Sequence, residues 1–297
     1  MKTHKCYNLK DKRKKCKQTK KNRINTCLDN TMGGQKRNFT DIQTQNCDIN
    51  CGKILKNNSN EYNLYKLLNS KTIFPKYIHK LKTFIPKFYK NEMCTYNNNT
   101  YYVIENIKNN VGNNPITIDI KIGYKTALKF DSGLIKYIRH SVIDNYFSHS
   151  NRVGYRIEGI TGHKTSDILD KTKDSSLLSL HKRKKYDFYK KELSFIINKL
   201  LPLKKDRQKC FNKINKIYKD FVKPNYNASL KHKKYISFIG SSILIAKGDA
   251  DVIVKIIDLN HPIWNRVNDY SDKDRLESLD NFTNGFKKLL DDFSLLV

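Results

Sequence analysis

The chain has 297 residues, 38% of them apolar, and 58 Lys and Arg against 28 Asp and Glu, for a formal net charge of +30. That length accommodates one large domain or two lobes around a real core, and no stretch approaches the ~18 successive apolar residues of a membrane-spanning helix. The charge points to a polyanionic partner, whether nucleic acid, acidic lipid or a phosphorylated small molecule, without choosing among them; because 48 of the 58 basic residues are Lys in a chain also rich in Asn, Ile and Tyr, A/T-rich coding accounts for part of it.

Residues 1–30 read as a basic, disordered leader, with 11 Lys or Arg in the first 23 positions and no apolar periodicity. A polyanion-binding or nuclear-import patch is the sharper reading. No apolar h-region is present, so the leader is not a secretory signal, and a cytoplasmic or nuclear location is expected. Seven Cys at irregular spacing predict free thiols. Cys47 and Cys51 form a CxxxC, but no second close Cys or His pair completes a tetrahedral zinc set.

Folded structure is expected from about residue 31, beginning near Gly33 and Gly34. Gly52–Lys56 reads as a short strand, and Glu61–Leu68 has helical spacing, with Tyr62, Tyr65 and Leu68 on one side. Tyr101–Glu105 is a further strand, followed by a loop rich in Asn and Gly. In Pro115–Gly123, Ile116, Ile118, Ile120 and Ile122 alternate with Thr117, Asp119 and Lys121, the mark of a half-buried strand. Its Ile side chains enter the core, while Asp119 and Lys121 emerge together on the other face, about 7 Å apart along the backbone.

Residues 131–147 are compatible with a helix, and Lys190–Leu201 is a clearer one, stopped by Pro202. The intervening 162–187 are polar and dense in Lys. Gln208–Val222 places Phe211, Ile214, Ile217, Tyr218 and Phe221 on one face. Two strands follow, Tyr235–Ala246 and Val252–Leu259, the second a nearly continuous β-branched run with Asp258 at its end. Asn281–Leu296 closes the chain as a helix. No internal repeat is evident. The order of elements predicts an α+β fold with two lobes.

Phosphoryl transfer needs a Lys on the nucleotide phosphates, an acid to hold Mg²⁺, and positive charge at the transferring group. Lys56 ends a predicted strand just before a helix that begins with Glu61, the arrangement that positions a phosphate-binding Lys in protein kinases. Asp258 at the end of a buried strand is costly unless it binds a cation or accepts hydrogen bonds. Taken singly, each has an ordinary reading: Lys56 as a surface Lys, Glu61 as a solvated helix residue, Asp258 as a turn cap, and Asp119 with Lys121 as an exposed pair worth little.

Taken together the segments carry more. Pro115-x-x-x-Asp119-x-Lys121-x-Gly123 resembles the PxxxDxKxG signature of the inositol polyphosphate kinases. In the same order, Gly52–Lys56 resembles the strand bearing the ATP lysine, and Glu61-x-x-x-Tyr65-Lys-Leu-Leu68 the helix after it. Phe84-Ile-Pro-Lys-Phe-Tyr89 is similar to a FIPKYY segment, and Val103-Ile-Glu105-Asn-Ile107 to the hinge. Ile239-Gly-Ser241-Ser242-Ile-Leu244 is similar to GSSLL, Ile256-Ile-Asp258-Leu259 to MIDF, and Asn281-x-x-x-Gly285-x-x-x-Leu289-Leu290 to the last helix. The resemblance covers about residues 50–297.

The resemblance implies a fold distantly like that of a protein kinase. Its small N-lobe, about 31–110, would carry an antiparallel sheet; the larger C-lobe, about 111–297, would include an inositol-binding segment at about 131–200. It implies ATP as co-substrate and Mg²⁺ as cofactor. Lys56 would bind the α- and β-phosphates, oriented by Glu61, and Glu105 and Ile107 would hold adenine through their backbone. Asp119 would hold the ribose hydroxyls. Lys121 would reach the acceptor phosphate and the transferring group, Asp258 would bind the metal, and Ser242 would assist. Arg139, Lys171 and Lys173 would contact the acceptor's phosphates, as would His261.

Gly154-Tyr-Arg156-Ile-Glu-Gly-Ile160 is similar to GFRIEGI of the inositol-trisphosphate 3-kinases, and Lys171-Thr-Lys173 falls where those enzymes carry KKTKT. His261, by contrast, resembles the IDFAH of the multikinases and inositol hexakisphosphate kinases. Inositol 1,4,5-trisphosphate is therefore the expected acceptor, with multikinase or hexakisphosphate kinase activity as the alternative. A rival of another class is an inactive homologue that binds polyanions or nucleic acid. It lacks any aromatic-interleaved RNA-recognition signature, and nucleic acid is not expected as a partner. A monomer without a membrane span is expected.

Overall fold

The computed structural model describes residues 53–56, 59–96, 99–129, 134–142, 144–145, 150–162, 187–231, 234–259, 261–264 and 271–297. The leader, Gly33 and Gly34, Cys47 and Cys51, and the Lys-dense stretch 163–186 lie outside the described residues. The fold is α+β, as expected, and its sheets are antiparallel.

The N-terminal sheet has the order β1 (Lys53–Lys56), β3 (Asn99–Ile104), β2 (Phe88–Tyr96). Helix α1 (Asn60–Leu68) begins at Ser59, whose hydroxyl accepts from the Tyr62 N–H at 3.2 Å, an N-cap that satisfies an otherwise orphaned donor. Its buried face carries Tyr62, Leu64, Tyr65 and Leu68. Tyr62 stacks on Tyr102 at 4.3 Å between ring centroids and Tyr65 on Phe88 at 5.7 Å, so aromatic contact ties α1 to β2 and β3. The interposed α2 (Lys76–Phe84) has too short an apolar pattern for sequence reasoning to find, and buries only Ile78, Leu81 and Phe84.

The larger sheet has the order β5 (Tyr155–Thr161), β4 (Ile116–Ile122), β7 (Ser242–Lys247), β8 (Val252–Ile257). The alternation in β4 is real: Ile118, Ile120 and Ile122 are buried, each worth roughly 1.5–3 kcal/mol, and Ile116 is half-buried. Ile243, Ile245, Val254, Ile256, Tyr155 and Ile157 join them in the main core. Opposite them pack α6 (Lys204–Ile217), a π-helical turn (Tyr218–Val222), α7 (Lys223–Ser229) and α8 (Asp272–Ser294), which supply Ile214, Ile217, Phe221, Phe282, Phe286 and Phe293. Three further helices are α3 (Leu134–Val142), the single turn α4 (Ser150–Val153) and α5 (Asp187–Leu200).

Three expectations need correction. Tyr235–Ala246 is two strands in different sheets: β6 (Ile236–Phe238) pairs with β9 (Pro262–Trp264), and β7 joins the large sheet. Gly240, at φ 66°, turns the chain between them. The Val252–Leu259 run is not buried on both faces; β8 is an edge strand that alternates, with Val252, Val254 and Ile256 in the core and Ile253, Lys255 and Ile257 on the open face. The last helix starts at Asp272, because Ser271 caps it and Asp272 and Asp274 occupy its first turn, signals that lie outside its apolar periodicity.

Helix α8 meets the ends of β4 and β5 through glycines. A Cβ on Gly285 would strike the Gly154 carbonyl oxygen and lie 2.7 Å from the Gly123 nitrogen and 2.8 Å from its Cα, all backbone atoms. Gly123, at φ 115°, donates its N–H to the Gly154 carbonyl at 2.9 Å. One helical turn before Gly285, the Asn281 amide brackets Lys125, accepting from its N–H and donating to its carbonyl, both at 2.8 Å. This is the physical content of the glycine that ends the PxxxDxKxG run. Gly285→Ala is expected to force α8 off the sheet and cost more than ~2 kcal/mol, whereas Asn281→Ala, which removes two hydrogen bonds and adds no bulk, costs about 1–2 kcal/mol. Chemical denaturation of the two variants checks the order.

Candidate active site

Strand register brings the distant motifs together. Opposed residues of antiparallel neighbours share a face. Lys121 on β4 stands opposite Ser242 on β7, which stands opposite Ile257 on β8. Asp119 stands opposite Leu244, and Leu244 opposite Lys255. One open face of the sheet therefore carries Asp119, Lys121 and Ser242, with Asp258 just beyond the end of β8. The Lys121 ammonium donates to the Gly240 carbonyl at 2.8 Å and lies 3.7 Å from the Asp258 carboxylate. Asp258 has φ 58°, an uncommon conformation for a side-chain-bearing residue that turns it out of the strand.

Asp119 is the electrostatic centre of this face. Its Oδ1 is buried and has no hydrogen-bond partner among the described residues, and the same holds for the hydroxyls of Ser241 and Ser242. Burial first, and the Asp258 charge second, push the Asp119 carboxyl up to about 6, against the pull of Lys121. The Ser242 hydroxyl also favours the anion, but its geometry falls short of a hydrogen bond, so its pull is weak. Two carboxylates and one ammonium therefore lie close together on a half-buried face, and the pair read from sequence as Asp119 with Lys121 is in contact terms Lys121 with Asp258.

On one side the face continues into an apolar floor. Ile107 and Val111 pack on Ala246, with Leu244, Ile253 and Ile257 partly exposed around them. Glu105 and Ile107 border this floor. Glu105 is tied down, its N–H donating to the Lys87 carbonyl at 2.8 Å and its carboxylate accepting the Lys87 N–H at 2.9 Å and the Asn110 amide. Glu61 is buried, not a solvated helix residue, which corrects its ordinary reading. The backbone of Lys56 pairs with Tyr101 in the N-terminal sheet; its side chain lies outside the described atoms.

Tyr65 links these groups and was missed as a site residue, although it follows Glu61 by four positions on the same helix face. Its hydroxyl is buried without a hydrogen-bond partner among the described residues. Burial raises its ionisation well above the usual phenol range, and the negative charges of Glu61, Glu105 and Asp258 add to the effect. Lys255 reaches from β8 to the Thr83 carbonyl at 3.0 Å and is shifted down by burial, with Glu105 opposing.

On the other side of Lys121 lies a polar network. Arg156, opposite Lys121 on β5, is buried and bonded to the Asp144 carboxylate, to Glu158 at 2.8 Å and to the Thr126 hydroxyl at 3.3 Å. Asp144 also accepts the Thr126 N–H at 2.7 Å, and the Thr126 hydroxyl lies 2.9 Å from His140 Nδ1. Glu158 is the extra residue of a bulge between β4 and β5. Of this network, sequence reasoning saw Arg156 only as part of a motif, because its partners lie in separate segments. Arg139 is exposed on α3. His261 is half-buried, with its backbone carbonyl accepting from Ile239 at 3.4 Å. Lys171 and Lys173 lie outside the described residues.

A family model described as inositol polyphosphate kinase matches residues 101–290. The chain belongs to this family. Among solved structures it is similar to the inositol phosphate multikinase Ipk2 of S. cerevisiae, a complex with ADP and Mn²⁺, at 18% identity and a TM-score of 0.55, over 82% of this chain and 99% of that one. A second similar structure, from studies and engineering of an inositol phosphate multikinase, has 16% identity and a TM-score of 0.52, over 80% of this chain and 99% of that one. No curated protein sequence matches significantly. The chain is thus an inositol polyphosphate kinase, with the two-lobed α+β fold that its motifs imply.

The Asp119 environment has a measurable consequence. Its folded pKa lies above that of an unfolded Asp, about 3.9, so the native state holds the proton more tightly. Stability tied to this group is present at low pH, is lost as pH rises from about 4 through about 6, and stays lost above. The loss is at most about 3 kcal/mol at ~1.4 kcal/mol per pKa unit. Asp119→Asn is expected to melt higher than the native chain at pH 8 and to lose that slope. Melting curves across pH 4–8 test this, and an Asp119→Asn variant less stable at pH 8 would contradict it.

Proposed function

We propose that the chain transfers the γ-phosphate of ATP to a hydroxyl of an inositol polyphosphate, with inositol 1,4,5-trisphosphate as the favoured acceptor. The observation that supports this most directly is the convergence of Lys121, Asp119, Asp258 and Ser242 on one half-buried sheet face. Adenine fits the apolar floor beside Glu105 and Ile107, and the ribose hydroxyls would give the buried Asp119 Oδ1 the donors it lacks.

The residues present fit a divalent cation. Asp258 is turned out of its strand, Ser242 carries a buried hydroxyl without a hydrogen-bond partner among the described residues, and Asp119 raises the local negative charge. Among the described residues no group of three or more His, Cys, Asp or Glu closes around an ion, so nucleotide phosphates and water would complete the ligand set. Mg²⁺ held by Asp258 and Ser242 would supply charge neutralisation at the phosphates.

The chain's own residues do the rest. Lys121, anchored at Gly240, stands between the phosphates and the acceptor and stabilises the charge that builds on the transferring oxygens. Glu61, buried on α1, orients Lys56 toward the α- and β-phosphates. The acceptor hydroxyl attacks in line, and a loose transition state needs little help from a base. Arg139, Lys171, Lys173 and His261 are proposed to hold the acceptor's phosphates. His261 also supports multikinase or hexakisphosphate kinase activity as a second reading.

Lys121→Ala and Asp258→Asn are each expected to lower turnover by at least about 100-fold while the protein stays folded; unchanged turnover in either overturns the mechanism. A labelled-ATP assay across acceptors with about three to six phosphates decides the substrate. Preference for the trisphosphate supports the reading given, and preference for a higher phosphate replaces it with the second.

A further inference from the structure

We propose, resting on the transfer role given to Lys121, that Thr126 is a positioning residue for phosphoryl transfer: held by Asp144, it seats the turn whose carbonyl anchors the Lys121 ammonium. Thr126 lies five residues past Lys121, in the segment that leaves β4, and is buried. Its carbonyl faces the turn between β6 and β7. A Cβ on Gly240 would lie 2.9 Å from the Thr126 oxygen, too near for a side chain unless something shifts. The carbonyl of Gly240 itself accepts from the Lys121 ammonium at 2.8 Å. The place of one carbonyl thus sets the place of the next, and with it that of the ammonium. The turn has a second support on the β4 side, where the Ile122 N–H donates to the Ser241 carbonyl at 2.9 Å.

Thr126 is gripped more firmly than a loop residue needs to be. The Asp144 carboxylate accepts its N–H at 2.7 Å and its hydroxyl at 2.9 Å. A threonine hydroxyl has one hydrogen to give and two lone pairs. Arg156 Nη1 donates to it at 3.3 Å and His140 Nδ1 lies 2.9 Å away, so its capacity is taken up. Asp144 and Arg156 are buried and paired with each other, and Arg156 also meets Glu158 at 2.8 Å. A buried network of this kind holds one geometry, because a displaced member leaves charged or polar groups unpaired. The residue before Thr126 is fixed as well, since the Asn281 amide brackets Lys125. His140 belongs to α3 and follows Arg139, which is proposed to hold an acceptor phosphate, so the same network joins the acceptor segment to the transferring Lys.

Thr126→Val tests this. It keeps the size of the side chain and the N–H bond to Asp144, and it leaves the Asp144 and Arg156 charges paired, so the fold is expected to survive. Activity is measured with ATP and inositol 1,4,5-trisphosphate, or with the higher phosphate that the acceptor panel selects. The kcat is expected to fall about tenfold, less than in Lys121→Ala because the Ile122 bond still supports the turn, while KM for ATP stays within about twofold. Thr126→Ser, which keeps the hydroxyl, is expected to recover most of the loss. The background decides between positioning and mere stability: in Lys121→Ala, adding Thr126→Val is expected to change turnover by less than about twofold, since the group it positions is gone. Full turnover in Thr126→Val, or an equal loss in both backgrounds, overturns the inference and leaves the mechanism at Lys121 standing. Unchanged turnover in Lys121→Ala overturns that mechanism and this inference with it. Should Thr126→Val fail to fold, Gly240→Ala, whose Cβ presses on the same carbonyl from the other side, enters the same cycle and is read in the same way.

Discussion

The close approach of Gly285 to Gly123 and Gly154 is the contact on which the site depends. Helix α8 is the longest described element, and its only route onto the ends of β4 and β5 is through backbone too near to admit a Cβ. Once seated, it delivers Asn281 to Lys125, four residues after Lys121, and so fixes the chain just past the end of β4. The same seating buries Phe282, Phe286 and Phe293 against the core face of the sheet. The geometry of the candidate site and the hydrophobic core thus share one steric condition.

Against that rigid frame the open face of the sheet holds unfavourable electrostatics. Asp119 holds a buried oxygen that is unsatisfied among the described residues and feels the Asp258 charge, and Tyr65 adds a buried hydroxyl likewise without a hydrogen-bond partner among them. A stable resting protein gains nothing from this. It is the pattern expected of the proposed site, in which cations and hydroxyl donors would arrive with the substrates. Lys121 lies within 4 Å of Asp258, and its second anchor at Gly240 holds it in place independently of that carboxylate.

Much of this was legible in the residues. The period-two alternation of Ile118, Ile120 and Ile122 announced β4, because a strand has two faces and only one enters the core. The helical spacing of Ile214, Ile217 and Phe221 announced a packed helix for the same kind of reason. What escaped was structure governed by non-local partners. β5 carries Tyr155, Arg156 and Ile157 all buried in succession, so it shows no alternation. Arg156 tolerates that burial only because Asp144, Thr126 and Glu158 meet it from other segments. Glu61 and Tyr65 looked like surface and core residues of one helix, and their shared environment depends on Asp258, nearly two hundred positions away.

The sequence by itself determined the elements and the family. Periodicity, capping residues and ordered motifs are local properties of a chain, and they are written in adjacent positions. The pairing of Lys121 with Asp258, the raised proton affinity of Asp119 and the seating of the Gly240 turn on Thr126 were decided only in the folded molecule. Strand register, burial and the seating of a turn depend on which distant surfaces come into contact, and spacing along the chain does not encode those distances.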